Sequence, residues 1–244
     1  MRVETLTTFK PKQSRIISKV VSPALQLWLR SQVEQVEALN CSIAGGDRQI
    51  LGGYIPSVSI AASGAVYQGL HLSKIKLEGT NIRFNFSGVL KDKPLCLIES
   101  VPVIAWLLLE GRDLQASLSA PLLSTALSEL LAKLLTEDKI ANLGLGLQDK
   151  QISWQQIDIE QGGLKLSGTM TNSALIPTPV VIDVGIQLAT PQALQLSPLK
   201  IQISQQLSLN LDGFLLDLGS EVNIVELSLN PGRLICRGRL NVNP

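Results

Sequence analysis

Most of the chain alternates apolar and polar residues with a period of two, which is the pattern of strands that bury one face. Residues 180–188 are the clearest case, because aliphatic residues occupy every second position, with Asp183 and Gln187 among the residues between them. Glycines separate these segments, and the pair Asp212-Gly213 is typical of a hairpin turn. Helical patterns do not alternate with the strands, so parallel βαβ units are excluded and the strands should pair antiparallel.

Two distant segments share one arrangement of residues. Residues 157–168 (IDIEQGGLKLSG) and residues 227–238 (LSLNPGRLICRG) both alternate into a glycine turn and out again. This internal similarity predicts a repeated hairpin unit that builds one extended antiparallel sheet. Such a sheet has an apolar face, which other elements must cover.

The longest helical pattern, residues 113–135, separates two strand-rich stretches. Asp113 is a good N-cap, so the residues through Leu118 are predicted to form a capped turn. Pro121 is tolerated in a first helical turn, which places the start of the main helix near Ser119 or Ala120. Helical spacing then brings these leucines to one face: Leu123, Leu127, Leu130, Leu131 and Leu134.

A second helix is predicted to begin at Ser22, because Ser22 can cap it and Pro23 occupies its favoured first position. The apolar stripe of this helix consists of Leu25, Leu29, Val36 and Leu39, flanked by Trp28 and Val33. Gln32 interrupts the stripe. We interpret it as a buried amide with a main-chain partner rather than as a polar contact for a ligand.

A long twisted sheet can curl around these two helices. The predicted fold class is therefore α+β, with a long, strongly curved antiparallel sheet wrapped around one or two long amphipathic helices. Hydrophobic residues make up 45% of the chain and aromatic residues only 4%, so aliphatic side chains supply the interior. They either fill a core or line an apolar cavity, and helical spacing alone does not separate these alternatives.

Several functional classes are disfavoured by composition and motifs. A net charge of +1 argues against a nucleic-acid binder that neutralises phosphates. Cys41, Cys96 and Cys236 are far apart, which indicates neither a disulfide framework nor a zinc site. His71 is the only histidine, and the sequence has no GxSxG, HExxH or Walker motif. We therefore predict a protein that is not an enzyme, with no catalytic residue, cofactor or metal.

Three stretches resemble the LmeA-like phospholipid-binding family, especially its cyanobacterial branch: residues 22–34 (SPALQLWLRSQVE), 65–70 (AVYQGL) and 113–123 (DLQASLSAPLL). The resemblance implies phospholipid binding. It also implies an architecture similar to the tubular lipid-binding (TULIP) proteins, in which a strongly curved sheet wraps a long helix around an apolar tunnel.

The expected function is that of a non-enzymatic phospholipid-binding or lipid-transfer protein that holds acyl chains in an apolar tunnel at a membrane surface. Residues 1–20 are expected to be a flexible basic arm, and residues 21–244 a single lipid-binding domain. The residues predicted to contact lipid are Leu25, Trp28, Leu29, Trp106, Leu123, Leu127 and Trp154.

The expected partners are a phospholipid or another acyl lipid and, transiently, a membrane surface. No signal peptide or membrane-spanning segment is predicted, so we expect a cytoplasmic protein or one peripheral to an inner membrane such as the thylakoid. The alternative is a β-rich structural or assembly module that binds a protein partner through a strand edge or the basic arm.

Overall fold

The structure is a computed structural model that describes residues 22–89, 96–136, 151–171, 177–203, 207–211 and 213–244. The paired strands in these residues all run antiparallel, and they outweigh the helices, which confirms the predicted α+β class. The helices are α1 Ser22–Gln32, α2 Asp47–Leu51, α3 Phe86–Val89, α4 Gly111–Ala116 and α5 Pro121–Thr136, and a 3-10 turn, Ser117–Ser119, joins α4 to α5.

The strands form two six-stranded sheets, whereas the sequence predicts one extended sheet. The first sheet has the order β1-β2-β3-β4-β12-β11: β1 Ala38–Ala44, β2 Tyr54–Tyr67, β3 Leu70–Arg83, β4 Val101–Glu110, β12 Arg233–Val242 and β11 Val222–Asn230. The second has the order β10-β8-β7-β6-β5, with β9 also paired to β8: β5 Gln151–Glu160, β6 Gly163–Thr171, β7 Pro177–Thr190, β8 Ala193–Ile203, β9 Leu207–Leu211 and β10 Phe214–Asp217.

The predicted hairpin repeat is present in the structure. The β5–β6 and β11–β12 hairpins each carry a turn glycine with a φ of 73°, Gly162 and Gly232, a conformation that side chains with a β-carbon rarely adopt. Each hairpin also has a bulge at the same distance before its turn, between Trp154 and Gln156 in β5 and between Ile224 and Glu226 in β11. The two segments are therefore similar in geometry as well as in sequence.

These two hairpins also join the sheets. Gly162 donates its main-chain N–H to the carbonyl of Leu229 at 3.0 Å, and Gly232 donates to the carbonyl of Ile159 at 2.8 Å. In each bond the turn glycine of one hairpin donates to the residue three positions before the turn glycine of the other hairpin. The junction between the sheets is therefore pseudo-symmetric. A third main-chain bond, from Ile224 to the carbonyl of Pro191 at 2.7 Å, ties β11 to the β7–β8 turn.

The first core lies between α1 and the inner face of the first sheet. Leu25 of α1 is buried there, and Trp28 and Leu29 pack beside it. The other buried members of this core come from the strands and from the short helices α2 and α3: Ile43, Ile50, Ile55, Val58, Ile82, Phe84, Phe86, Val101 and Val103.

The second core lies between α5 and the second sheet. Its buried members from the helical segment are Leu114, Leu118, Leu131 and Leu134. Those from the strands are Trp154, Ile157, Ile159, Leu166, Met170, Val180, Ile182, Val184, Leu196, Leu199, Ile201, Ile203 and Leu229. Leu229 belongs to β11 of the first sheet, so this core also covers the sheet junction.

The first helix is shorter than the sequence predicts. It ends at Gln32, and Leu39 lies in β1 instead of on the helical stripe. The chain leaves the helix because it pairs with β2: Glu34 donates to the carbonyl of Val66 at 2.8 Å, and Val66 donates to the carbonyl of Gln35 at 2.9 Å. The prediction of a buried amide at Gln32 is also wrong, because this side chain is exposed and donates to the Ser31 hydroxyl.

One further local prediction is wrong, and one is confirmed. Asp113 does not cap α4, because the helix already begins at Gly111, where the main-chain N–H bonds the carbonyl of Gly232 at 2.8 Å. Asp212 of the predicted Asp212-Gly213 turn lies outside the described residues; the flanking strands β9 and β10 both pair antiparallel with β8, one after the other. The main helix does begin at Pro121, as predicted.

Candidate functional site

Helix α5 presents an apolar face to the second sheet. Leu131 and Leu134 are buried, with 1% and 2% of their surface exposed. Leu123, Leu127 and Leu130 are half-buried and pack against the same core. This is the leucine face that helical spacing predicts, and it packs against the second sheet.

Among the described residues, a small space lies between α5 and this sheet. It has a volume of about 30 Å³ and is lined by Leu127, Leu130, Leu131, Leu134, Trp154, Leu166, Ile182, Val184, Leu196 and Leu199. A water-sized group needs roughly 10–15 Å³ of such space, so the gap has room for about two of them. The helix leucines therefore fill almost all of the interior in which the sequence suggests an apolar cavity.

The opposite face of α5 borders an open groove of about 960 Å³. The helix contributes Pro121, Leu122, Thr125, Ala126 and Glu129 to the groove. The other wall includes Glu34 and Gln35 after α1, together with Val66, Gln68, Gly69 and His71 around the β2–β3 turn. Helix α5 thus separates two regions: its leucines fill the space toward the second sheet, and the open groove lies on its other side.

The segment before α5 is fixed to the first sheet by buried hydroxyl groups. Ser73 of β3 donates to a carboxylate oxygen of Asp113 at 2.5 Å and accepts the main-chain N–H of Glu110 at 2.7 Å. Ser117, 2% exposed, donates to the carbonyl of Asp113 at 2.7 Å and accepts the main-chain N–H of His71 at 2.8 Å. These bonds hold α4 and the 3-10 turn against β3.

The same segment is also fixed to the second sheet. The Gln115 side chain donates to the carbonyl of Gln155 at 2.8 Å and accepts the main-chain N–H of Ile157 at 2.9 Å. It therefore occupies the β5 bulge, where strand pairing leaves main-chain groups free. Helix α5 consequently starts from a point that is bonded to both sheets. Sequence periodicity gives no signal for these serine and glutamine contacts, and our sequence analysis missed them.

The predicted contact residues do not form one cluster. Leu25, Trp28 and Leu29 lie in the first core. Leu123, Leu127 and Trp154 lie in the second core, where the Trp154 indole N–H donates to the Ser128 hydroxyl of α5 at 3.3 Å. Trp106 lies on the outer face of the first sheet, half-buried, with the Lys76 ammonium 5.4 Å from its ring centre. Three of the seven residues predicted to contact lipid thus lie in the second core.

Two cysteine thiols among the described residues have pKa values above the ordinary value. Burial raises the pKa of the Cys41 thiol, and burial followed by the charge of Glu226 raises the pKa of the Cys236 thiol. Both thiols are therefore less nucleophilic than an ordinary cysteine. Within the described ranges, no group of three or more His, Cys, Asp or Glu side chains is placed to hold a metal ion.

In the part of the chain that the structure describes, no helix combines the length and apolarity needed to cross a bilayer. The family model described as LmeA-like phospholipid-binding matches the chain over residues 12–239. No curated protein matches the chain. No solved structure matches it either.

Proposed function

Because the chain belongs to the LmeA-like phospholipid-binding family, we propose that it binds the acyl chains of a phospholipid between α5 and the second sheet. In this proposal residues 21–244 act as one lipid-binding domain, without catalysis, and exchange lipid with an inner membrane surface. The observation that carries it is the position of α5, whose leucine face covers an aliphatic sheet while its other face borders open volume.

The lining of the second core has the chemistry of an acyl-chain site. The ten residues around the 30 Å³ space are leucine, isoleucine, valine and one tryptophan. The Trp154 indole N–H, on the sheet side, donates to the Ser128 hydroxyl of α5. An acyl chain gains about 0.8 kcal/mol for each methylene removed from water, and it needs no polar partner to do so.

A chain can enter only if α5 moves away from the sheet, because an acyl chain is many times larger than 30 Å³. The groove of about 960 Å³ leaves room for such a movement on the outer side of the helix. The bonds of Ser117 and Gln115 fix the segment before the helix to both sheets. In the proposed opening, α5 therefore pivots near Ala120 and an apolar tunnel forms beneath it.

The free-energy change of this opening is smaller than the number of leucines suggests. Exposing a leucine to water would cost roughly 1.5–3 kcal/mol. A chain that enters between α5 and the sheet keeps the leucines covered, because their apolar surface then contacts methylenes instead of strand residues. The contacts that α5 loses with the sheet are thus replaced by equivalent contacts with the lipid. Because the lining is apolar, selectivity for a particular headgroup is expected to be weak.

The test compares one substitution on the two faces of α5. Leu127→Gln places an amide on the inner face, and Leu122→Gln makes the same change on the groove face, where Leu122 is 48% exposed. Uptake of a fluorescent phospholipid by purified protein should fall at least tenfold for Leu127→Gln, since a buried amide without a partner costs about 1–3 kcal/mol. It should change less than twofold for Leu122→Gln.

Circular dichroism and urea unfolding must show that both variants are folded, and Leu127→Met provides a control of similar volume. Equal uptake by the two glutamine variants would place the lipid elsewhere in the protein. No uptake by the wild type, together with no lipid in native mass spectra of the purified protein, would refute lipid binding altogether.

The alternative function is a structural module that binds a protein partner. The small volume between α5 and the second sheet supports this alternative, because a core that is filled by its own leucines needs no ligand. The native mass spectrum separates the two functions. Bound phospholipid supports the first, and a lipid-free protein that forms a stable complex with another protein supports the second.

A further inference from the structure

The outer face of the first sheet carries exposed cations around a tryptophan. Strands alternate their side chains between faces, so the residues beside Trp106 on this face follow from the strand register. They include the exposed cations Lys74, Lys76, Arg233, Arg237 and Arg239, together with Ile104. We call this set the basic face. Helix α1 packs against the opposite side of the sheet.

Apolar and cationic side chains alternate across the basic face. Lys76, Trp106 and Arg237 lie side by side on β3, β4 and β12, so two cations flank the indole. Arg239 is the neighbour of Ile104, which is 42% exposed. Ile104 has Glu78 on its other side, and Glu226 lies beyond Arg237 on β11, so the two cations beside Trp106 are the most direct positive neighbours of an apolar group on this face.

Most of these cations have no carboxylate partner. Within the described residues Lys74, Arg237 and Arg239 form no ion pair, and Lys76 contacts the Trp106 ring. The face also carries Glu78, Glu226 and Glu110, and of these Glu110 is paired with Arg112 at 3.0 Å. Five cations against three carboxylates leave this face net positive.

The outer face of the second sheet is different. Its register places Asp158, Lys165, Asp183 and Lys200 side by side on four adjacent strands, so opposite charges alternate along the row. Such neighbours neutralise one another. The first sheet also places Glu226 beside Arg237 and Glu110 beside Arg233, but its outer face carries two more cations than carboxylates, whereas the row on the second sheet is balanced.

We propose that the basic face docks on the surface of an anionic lipid bilayer. Lysine and arginine near such a surface each strengthen binding about fivefold, and tryptophan is favoured at the boundary between headgroups and acyl chains. This inference rests on the proposed function, because a lipid that reaches the α5 site has to come from a membrane. It assigns the membrane contact to a surface separate from that site.

The first test measures binding to vesicles of phosphatidylcholine containing about 30% phosphatidylglycerol, by co-sedimentation of the full chain. The double variant Lys76→Gln/Arg237→Gln should bind at least tenfold more weakly than the wild type, from two losses of about fivefold each. The matched control, Lys165→Gln/Lys200→Gln, removes the same charge from the second sheet and should change binding less than twofold. Wild-type binding should also weaken in high salt.

The second test uses tryptophan fluorescence. Trp28→Phe/Trp154→Phe leaves Trp106 as the only tryptophan of the chain. Its emission should shift to the blue and be quenched by brominated lipids when anionic vesicles are added. With pure phosphatidylcholine vesicles the emission should stay unchanged.

The docking surface is refuted if the wild type does not bind anionic vesicles, if the two double variants lose binding equally, or if Trp106 is not quenched. Unchanged binding of Lys76→Gln/Arg237→Gln would also refute it and would direct attention to another basic region, such as residues 1–20. Uptake of monomeric fluorescent phospholipid without vesicles reports the α5 site alone. A docking failure with normal uptake therefore leaves the proposed function intact.

Discussion

Replacing Ser117 by alanine should destabilise the protein although it removes only one atom. Ser117 is 2% exposed and joins the 3-10 turn to β3 through its hydroxyl. The alanine variant leaves the part-buried main-chain N–H of His71 without this partner. The carbonyl of Asp113 keeps a main-chain bond from residue 117. One donor is therefore lost, at a cost of about 1–3 kcal/mol.

Urea unfolding followed by circular dichroism measures this change. We expect a lower midpoint with an unchanged slope, and a melting temperature lower by about 2–4 °C for each kcal/mol in a chain of this size. Ser119→Ala is the matched control, because Ser119 is exposed and its hydroxyl donates only to the carbonyl of Ala116 at 3.2 Å. That variant should stay within about 0.5 kcal/mol of the wild type.

If Ser117→Ala and Ser119→Ala were equally stable, the 3-10 turn would not be a fixed point. The pivot proposed for α5 would then lose its basis. If Ser117→Ala were destabilised as expected but took up lipid faster, the bond from Ser117 would also restrain the opening of the helix.

Two further predictions concern the hairpin repeat and the thiols. Gly168→Ala and Gly238→Ala should each destabilise the protein by about 1–3 kcal/mol in urea unfolding, because a β-carbon at either site would lie 2.6 Å from a main-chain oxygen. Wild-type stability of both variants would contradict the shared geometry. In native protein at pH 8, Ellman's reagent should label exposed Cys96 quickly and Cys41 and Cys236 slowly, since burial raises the pKa of both slow thiols. Cys96→Ser should abolish the fast phase, and a persistent fast phase would contradict this order.

Local patterns in the sequence predict much of the fold. Period-two alternation identifies the antiparallel strands, and the similarity between residues 157–168 and 227–238 identifies two hairpins with the same turn and bulge. Pro121 marks the start of α5 and helical spacing marks its leucine face. These features depend on neighbours in the chain, and the sequence alone therefore contains them.

Features that depend on distant contacts could not be predicted in this way. The first helix ends at Gln32 because the following residues pair with Val66. The strands divide into two sheets, which are joined where Gly162 bonds Leu229 and Gly232 bonds Ile159, residues about 70 positions apart in the chain. Trp106 follows the same alternation as any strand residue, and only the strand register shows that its face of the sheet is the outer one.

The position of the last strand has a consequence for biosynthesis. Strand β12 lies between β4 and β11, and its residues 233–242 pair with residues 101–110. While the nascent chain emerges from the ribosome, β4 therefore keeps an unpaired edge until β12 has been translated. Unpaired edges invite association between chains, and pairing between distant segments is slow.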